Sequence, residues 1–245
     1  KEIVELSSHT LEERFGLAGE EGMAHLFLGD LTKGRFGGGF LYTNRSSLSL
    51  GMVIRIQDLA EKEPLVEAPS FLDAFKERPE ISPLIAGGEV VEYSAHVLPE
   101  AGWSGLARTF SDGFLVAGDA AGFSLNVGLT VRGMEFAIAS GVLAARAVKQ
   151  ARERGDFSAA SLSVYQKLLE ESFVLQDFKT FEHAPEFLDN PRLFQHYPQL
   201  LGDILQSLFT VGEEPKKKLS AAVREKIDWR EALHIVKDLR RGLKI

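Results

Sequence analysis

The residues best suited to do chemistry lie in one run, Asp112-Gly113-Phe114-Leu115-Val116-Ala117-Gly118-Asp119-Ala120-Ala121-Gly122. Gly113 to Ala117 reads as a short apolar strand of the kind buried on both faces. A tight glycine-bearing turn follows, with the Asp119 carboxylate at its tip. A loop then runs to Gly128, and a long helix spans about Thr130 to Glu153, with small residues in its first turns: Gly133, Ala137, Ala139, Ser140 and Gly141. Small side chains let the backbone approach a flat ligand or a neighbouring sheet. A helix N-terminus offers unpaired N–H groups and partial positive charge, so an anionic or electron-rich group suits it. The same residues also fit a purely structural role, with Asp119 capping a helix and Gly118 and Gly122 serving turns.

Other constellations carry less. His9, His25, His96, His183, His196 and His234 show no metal-ligand spacing, so no metal site is expected. Trp103-Ser104-Gly105 lacks the frame of a nucleophile elbow. Zero cysteines among 245 residues exclude disulfides and cysteine-ligated zinc or iron–sulfur sites within this chain. A net charge of -7 argues against nucleic acid. Lys216-Lys217-Lys218 reads as a solvated helix start, or as a weak docking point for an acidic partner or anionic lipid. No signal peptide is visible, and the longest apolar run, Phe136 to Val148, is broken by Ser140 and Arg146. The Asn44-Arg45-Ser46 sequon is then a chance match, and the cytoplasm is the default compartment. The chain opens on Lys1, which reads as a trimmed or partial sequence.

The elements that must position these residues are legible in outline. A short helix over 10–16 carries a Thr cap and ends at Gly16. Met23 to Leu28, Phe36 to Tyr42 and Ser46 to Ile56 read as strands, the last two joined by the turn Thr43-Asn44-Arg45. Leu48, Leu50, Met52, Ile54 and Ile56 share one face. Residues 57–69 read as a loop, Ser70 to Arg78 as a helix and Glu89 to Pro99 as a long strand. From 158 onward the chain reads as helices over 159–171, 172–182, 192–209, 217–226 and 229–241, punctuated by Pro185, Pro191, Pro198 and Pro215.

Read together, several motifs resemble one family. Gly118-Asp119 with its turn resembles the second FAD fingerprint of glutathione-reductase-like flavoproteins. Lys33 to Tyr42 with Leu48-Ser49-Leu50-Gly51 resembles the quinone-domain hairpin of electron-transfer-flavoprotein:quinone oxidoreductases. Phe75-Lys76, Pro79, Ile81, Pro83, Gly87-Gly88-Glu89 and Tyr93 recur there in the same order. Asn126 to Met134 with Ala139-Ser140-Gly141 is closest to the FixC-like branch. The resemblance implies FAD as cofactor, with Asp119 on a ribityl hydroxyl and Gly118, Ala120 and Gly122 forming the turn. It places Gly128, Leu129, Thr130 and Arg132 near the isoalloxazine or pyrophosphate. It makes Phe36, Phe40, Leu41 and Tyr42 candidate quinone lining, with Gly37, Gly38 and Gly39 allowing close approach. It names no catalytic acid or base, because the flavin does the redox work.

The implied fold is mixed α+β and α/β. Residues 1–110 would form an antiparallel-sheet quinone domain, 111–155 the closing part of a glutathione-reductase-like FAD domain, and 156–245 a helical region. Two departures qualify this. The family's G-x-G-x-x-G unit is absent, so the FAD site within this chain is incomplete. Without cysteine there is no iron–sulfur cluster, which implies a separate ferredoxin-like subunit beside electron-transfer flavoprotein subunits and quinone. Peripheral contact with the inner face of the cell membrane is compatible with a quinone acceptor. Two other readings stand beside this one: a geranylgeranyl-reductase-like flavoprotein, and a truncated interaction module without catalysis.

Overall fold

The structure is a computed structural model that describes residues 1–100, 102–128, 130–213, 215–216 and 218–244. Two compact units divide the chain, Lys1–His96 with Asn190–Lys226, and Val97–Asp189 with Ile227–Ile245. These boundaries differ from the three stretches expected above, because the C-terminal helices contribute to both units.

The first unit begins with β1 (Glu2–Glu5) and α1 (Ser8–Phe15). Ser7 caps α1 by accepting from Thr10 N, and Gly16 ends it in the left-handed conformation. The cap is thus Ser7, since a threonine inside the first turn cannot also serve as its boundary. Strands β2 (Ala24–Phe27), β3 (Gly37–Thr43) and β4 (Ser47–Ile54) follow, then α2 (Ile56–Glu61), α3 (Ala68–Lys76), α4 (Ser82–Ile85) and β5 (Glu89–Tyr93). The sheet is antiparallel in the order β2-β3-β4-β1-β5.

The first residues of the chain, to which the sequence reading assigned no element, form an inner strand, and two expectations are corrected. Residues 57–69 include helical turns, and Ile56 leaves the strand face to become an exposed residue of α2. The strand from Glu89 stops at Tyr93, because β1, its only partner in the sheet, offers four residues. Val4, Leu41, Leu48 and Leu50 lie on the buried face with Leu72, Phe75 and Ile81 of the helical side. Each such side chain contributes on the order of 1.5–3 kcal/mol.

A polar cluster fixes the entry to β3. The buried Asp58 carboxylate accepts from Phe36 N at 2.6 Å and pairs with Arg55 at 3.0 Å and Lys62 at 3.1 Å. Burial alone would raise its pKa, but the Phe36 N–H, Lys62 and Arg55 outweigh burial and hold it below the usual carboxylate range. Its stabilising contribution is therefore complete above the unfolded value of about 3.9 and is lost as pH falls through the lower folded value. Both cations are about one-third exposed, so the pairs themselves are weak. Asp58→Asn should cost roughly 1–3 kcal/mol at pH 7. It should also flatten the acid limb of stability, read as urea midpoints at neutral pH and below pH 4.

The second unit opens with two short hairpins, β6 (Phe110–Ser111) with β7 (Phe114–Leu115) and β8 (Leu125–Asn126) with β9 (Val131–Arg132). The expected buried strand over 113–117 is only two residues of β7, and Phe114 is exposed. The long helix α5 (Met134–Arg154) starts four residues later than expected, after β9, and ends at the left-handed Gly155. Helices α6 (Ala159–Leu162), α7 (Val164–Glu170), α8 (Phe173–Thr180) and α9 (Ala184–Leu188) follow. Phe123, Phe136, Tyr165, Leu169, Val174 and Phe178 form this unit's core. The chain then returns to the first unit with α10 (His196–Phe209) and α11 (Leu219–Lys226), and to the second with α12 (Trp229–Gly242).

Candidate functional site

Asp119 owes its position to the turn beneath it. Ala117 is extended, Gly118 has φ +63°, and Gly118–Ala121 makes a single tight helical turn closed by Gly122 N donating to Asp119 O at 2.9 Å. A Cβ on Gly118 would lie 3.3 Å from the Ala137 methyl, in a backbone conformation that disfavours any side chain. Ser140, fully buried on α5, accepts from Gly118 N at 3.0 Å and donates to Ala137 O. Tyr165 of α7 donates to Val116 O at 3.1 Å, and burial pushes its phenol up to about 12. Two helices thus hold both ends of the segment leading to Asp119.

The Asp119 side chain itself is exposed and has no hydrogen-bond partner among the described residues. A Cβ on Gly133, which starts α5, would lie at ordinary contact distance, 3.7 Å, from Asp119 Oδ1. The N-cap residue of α5 offers no side chain, and the Glu135 carboxylate in the first turn serves the N–H groups of Gly133 and Glu135. An exposed acceptor carboxylate on a fixed turn suits a ligand that carries hydroxyls.

The remaining expected cofactor residues have other settings. Gly118, Asp119, Ala120 and Gly122 come together on the one turn. Gly128 and Thr130 belong to the β8–β9 connection, where Gly128 N donates to Asn126 Oδ1 at 2.9 Å and Thr130 O accepts from Val127 N. Leu129 lies outside the described residues. Arg132 is taken up by Glu135 at 2.6 Å and Asp177 at 2.7 Å and stacks over Phe136.

In the first unit, Phe40 and Tyr42 stack on the outer face of the sheet with centroids 5.0 Å apart. Gly51 lies below them, where a Cβ would meet Phe40 at 2.5 Å. Leu26 in β2, Leu28 just after it and Val53 in β4 are exposed. Leu41 points the opposite way into the core and is removed from the lining. A Cβ on Gly39 would meet Phe75, and one on Gly38 would meet Phe27 O, so these glycines serve the protein's own packing. Phe36 packs on Phe194 at 4.9 Å and under Arg55.

Sequence reasoning missed Tyr165, and counted Ser140 only as small. It also missed Glu100, a half-buried carboxyl whose pKa is raised by desolvation and which accepts from Asn126 Nδ2 at 3.2 Å. A buried tyrosine far along the chain leaves no local signal. Tyr165→Phe should cost roughly 1 kcal/mol, read as a lower thermal midpoint, because it leaves Val116 O without its donor. No cluster of metal-ligating side chains occurs among the described residues, and none of their helices is long and apolar enough to cross a membrane.

Comparison with known sequences decides the family. The profile of the ETF-QO/FixC family C-terminal domain matches residues 184–245. Protein FixC of Escherichia coli (strain K12) is 44% identical over the whole chain. The chain belongs to the ETF-QO/FixC family. It is also 46% identical, over 89% of its length, to the probable electron transfer flavoprotein-quinone oxidoreductase YdiS of the same strain. Protein FixC of Rhizobium meliloti (strain 1021) is 41% identical over 88% of it. The alignments cover 50%, 56% and 49% of YdiS and the two FixC proteins, so this ETF-QO/FixC chain spans about half the length of the relatives it matches.

Proposed function

We propose that this chain is part of an FAD-dependent electron-transfer oxidoreductase that carries electrons from an electron-transfer-flavoprotein-type donor to a quinone or ferredoxin-like acceptor. The single observation that carries the cofactor reading is the Asp119 carboxylate. It is exposed, unpaired among the described residues, and held on a turn that Ser140 and Tyr165 fix from below. FAD bound there would supply the redox chemistry. Asp119 would accept hydrogen bonds from ribityl hydroxyls. The start of α5 would face an electron-rich edge of the cofactor, an interaction of about 0.3–1 kcal/mol. On the first unit, the Phe40–Tyr42 stack offers a flat apolar surface that suits a quinone ring.

The residues present supply one part of such a cofactor site, and the relatives' additional length leaves room for the rest. The setting we propose is cytoplasmic, at the inner face of the cell membrane. The proposed partners are electron-transfer flavoprotein subunits and a separate ferredoxin-like subunit.

The test uses protein expressed from the complete reading frame that contains this chain. Purified protein should carry flavin and reduce a soluble quinone analogue. Asp119→Ala should weaken flavin retention about tenfold or more, from the loss of a charge-assisted hydrogen bond, while circular dichroism stays unchanged. A colourless wild-type protein with no measurable flavin affinity would sink the proposal. Reduction of a prenyl chain with no quinone activity would transfer the protein to the geranylgeranyl-reductase type.

A further inference from the structure

The most strongly amphipathic helix of the chain, α12, has its polarity reversed relative to the protein it packs on. Glu231, Ile235, Asp238 and Gly242 recur at i, i+4, i+7 and i+11 and form its inner, less accessible side. Asp238 is only 8% exposed, and Gly242 packs on Phe187 of α9. The opposite side carries Trp229, Leu233, Val236 and Leu243 at i, i+4, i+7 and i+14, with Leu239 beside them. These five are exposed by 68%, 61%, 46%, 85% and 62%. An ordinary surface helix turns its apolar stripe inward, and this one turns it to solvent.

Charge completes the pattern. Arg230, Lys237, Arg241 and Lys244 recur at i, i+7, i+11 and i+14 along the flank of the apolar stripe, and Arg240 fills the stripe's own i+11 position, where its long stem can carry the charge outward. All five are exposed, while both acids of the helix, Glu231 and Asp238, are on the inner side. A chain of net charge -7 therefore presents a local row of cations next to a row of large apolar side chains.

We propose that α12 is an in-plane docking helix for an anionic lipid surface. Its large apolar–polar contrast, low mean hydropathy, terminal tryptophan and basic flank are the features that hold a helix at a bilayer interface. Trp229, Leu233, Val236 and Leu243 enter the headgroup–acyl boundary. The basic flank stays at the level of the phosphates, its long stems reaching up from the buried edge. A fluid bilayer accepts a protruding ridge of unequal side chains without a matching groove, which favours lipid over a protein partner. The assignment rests on the proposed quinone acceptor only for its purpose, since that acceptor dissolves in lipid.

The experiment uses the chain with Trp103→Phe, which leaves Trp229 as the sole tryptophan. It is mixed with quinone-free vesicles of phosphatidylcholine alone, or of phosphatidylcholine with phosphatidylglycerol in equal amounts. The expected result is co-sedimentation with the anionic vesicles at low salt, reversed by high salt, with a blue shift of Trp229 emission. Each Gln replacement of Arg230, Lys237, Arg241 or Lys244 should weaken binding about fivefold, and Leu233→Ser with Leu243→Ser should abolish the blue shift. These substitutions lie on the exposed side, so folding should be unaffected. Absence of both sedimentation and shift overturns the proposal. So does sedimentation that survives all four Gln replacements, which would place the lipid contact elsewhere. A Trp229 shift with a purified acidic ferredoxin but not with vesicles also overturns it, in favour of a protein partner. Quinone reduction in detergent by the complete flavoprotein tests the acceptor separately, so each reading can fail alone.

Discussion

Phe136→Ala should lower the stability of the second unit by about 3–5 kcal/mol, the usual cost of emptying a fully buried aromatic site. The Phe136 ring is 0% exposed and meets Phe173 at 5.8 Å and Phe178 at 5.4 Å. It is also the floor on which the Arg132 guanidinium stacks at 4.6 Å. Phe136 lies in the first turn of α5, three residues from Gly133, so its loss acts on the helix start beside Asp119 as well as on the core. The measurement is a urea titration followed by circular dichroism and by near-ultraviolet aromatic signals. Phe136→Leu should recover more than half of the loss, because volume-conserving apolar exchanges are tolerated better than truncations. Equal stability of the alanine variant and the parent would show that this ring is not the packing centre described here.

Gly37→Ala should be comparably severe, for a different reason. Gly37 has φ +146°, and an added Cβ would lie 2.0 Å from Val53 O and 2.9 Å from Val53 C. Both are backbone atoms of the paired strand, so no rotamer change relieves the contact. Strain in the glycine-only region and forced separation of β3 from β4 each cost about 1–3 kcal/mol, giving roughly 2–6 together. Gly141→Ala is the matched control. Gly141 lies inside α5 with nothing within 4 Å of an added Cβ, and alanine there should stabilise by about 0.5–1 kcal/mol. Opposite signs at two glycines, read as shifts in urea midpoint, would separate conformational necessity from general glycine content. A mild effect at Gly37 would mean that the β3–β4 edge relaxes more readily than its geometry implies.

The sequence was most informative where chemistry and periodicity coincide locally. Alternation of Leu48 with Leu50 marks the buried face of β4, and both are fully buried. The Gly118 to Gly122 turn was readable because glycine at φ +63° and +80° is what the backbone there requires. Legibility failed where a distant segment decides the outcome. Nothing in Glu2-Ile3-Val4-Glu5 says that it pairs with β4 on one side and β5 on the other. Phe114 and Val116 look like a buried strand, yet β7 has one partner only, and Phe114 faces outward. Tyr165 reaches Val116 O across 49 residues, a contact set by helix packing rather than by any local motif. Alternation along β3 was available to assign Leu41 to the core, opposite Phe40 and Tyr42, and the run of apolar residues obscured it.

The central place of β1 has a consequence for how this protein is made. Val4 pairs with Leu48 and with Val90, partners separated from it by most of the first unit's length. β1 therefore leaves the ribosome well before either of its partner strands exists. The β3–β4 hairpin can close as soon as Ile54 is synthesised, through contacts only a few residues apart. The sheet becomes continuous only when Tyr93 has emerged and the chain has closed a loop of some ninety residues back to β1. Until then β1 keeps one edge open, the side that β5 later covers. Synthesis speed between Ile54 and Tyr93 should thus govern the yield of soluble protein more strongly than synthesis speed anywhere later in the chain.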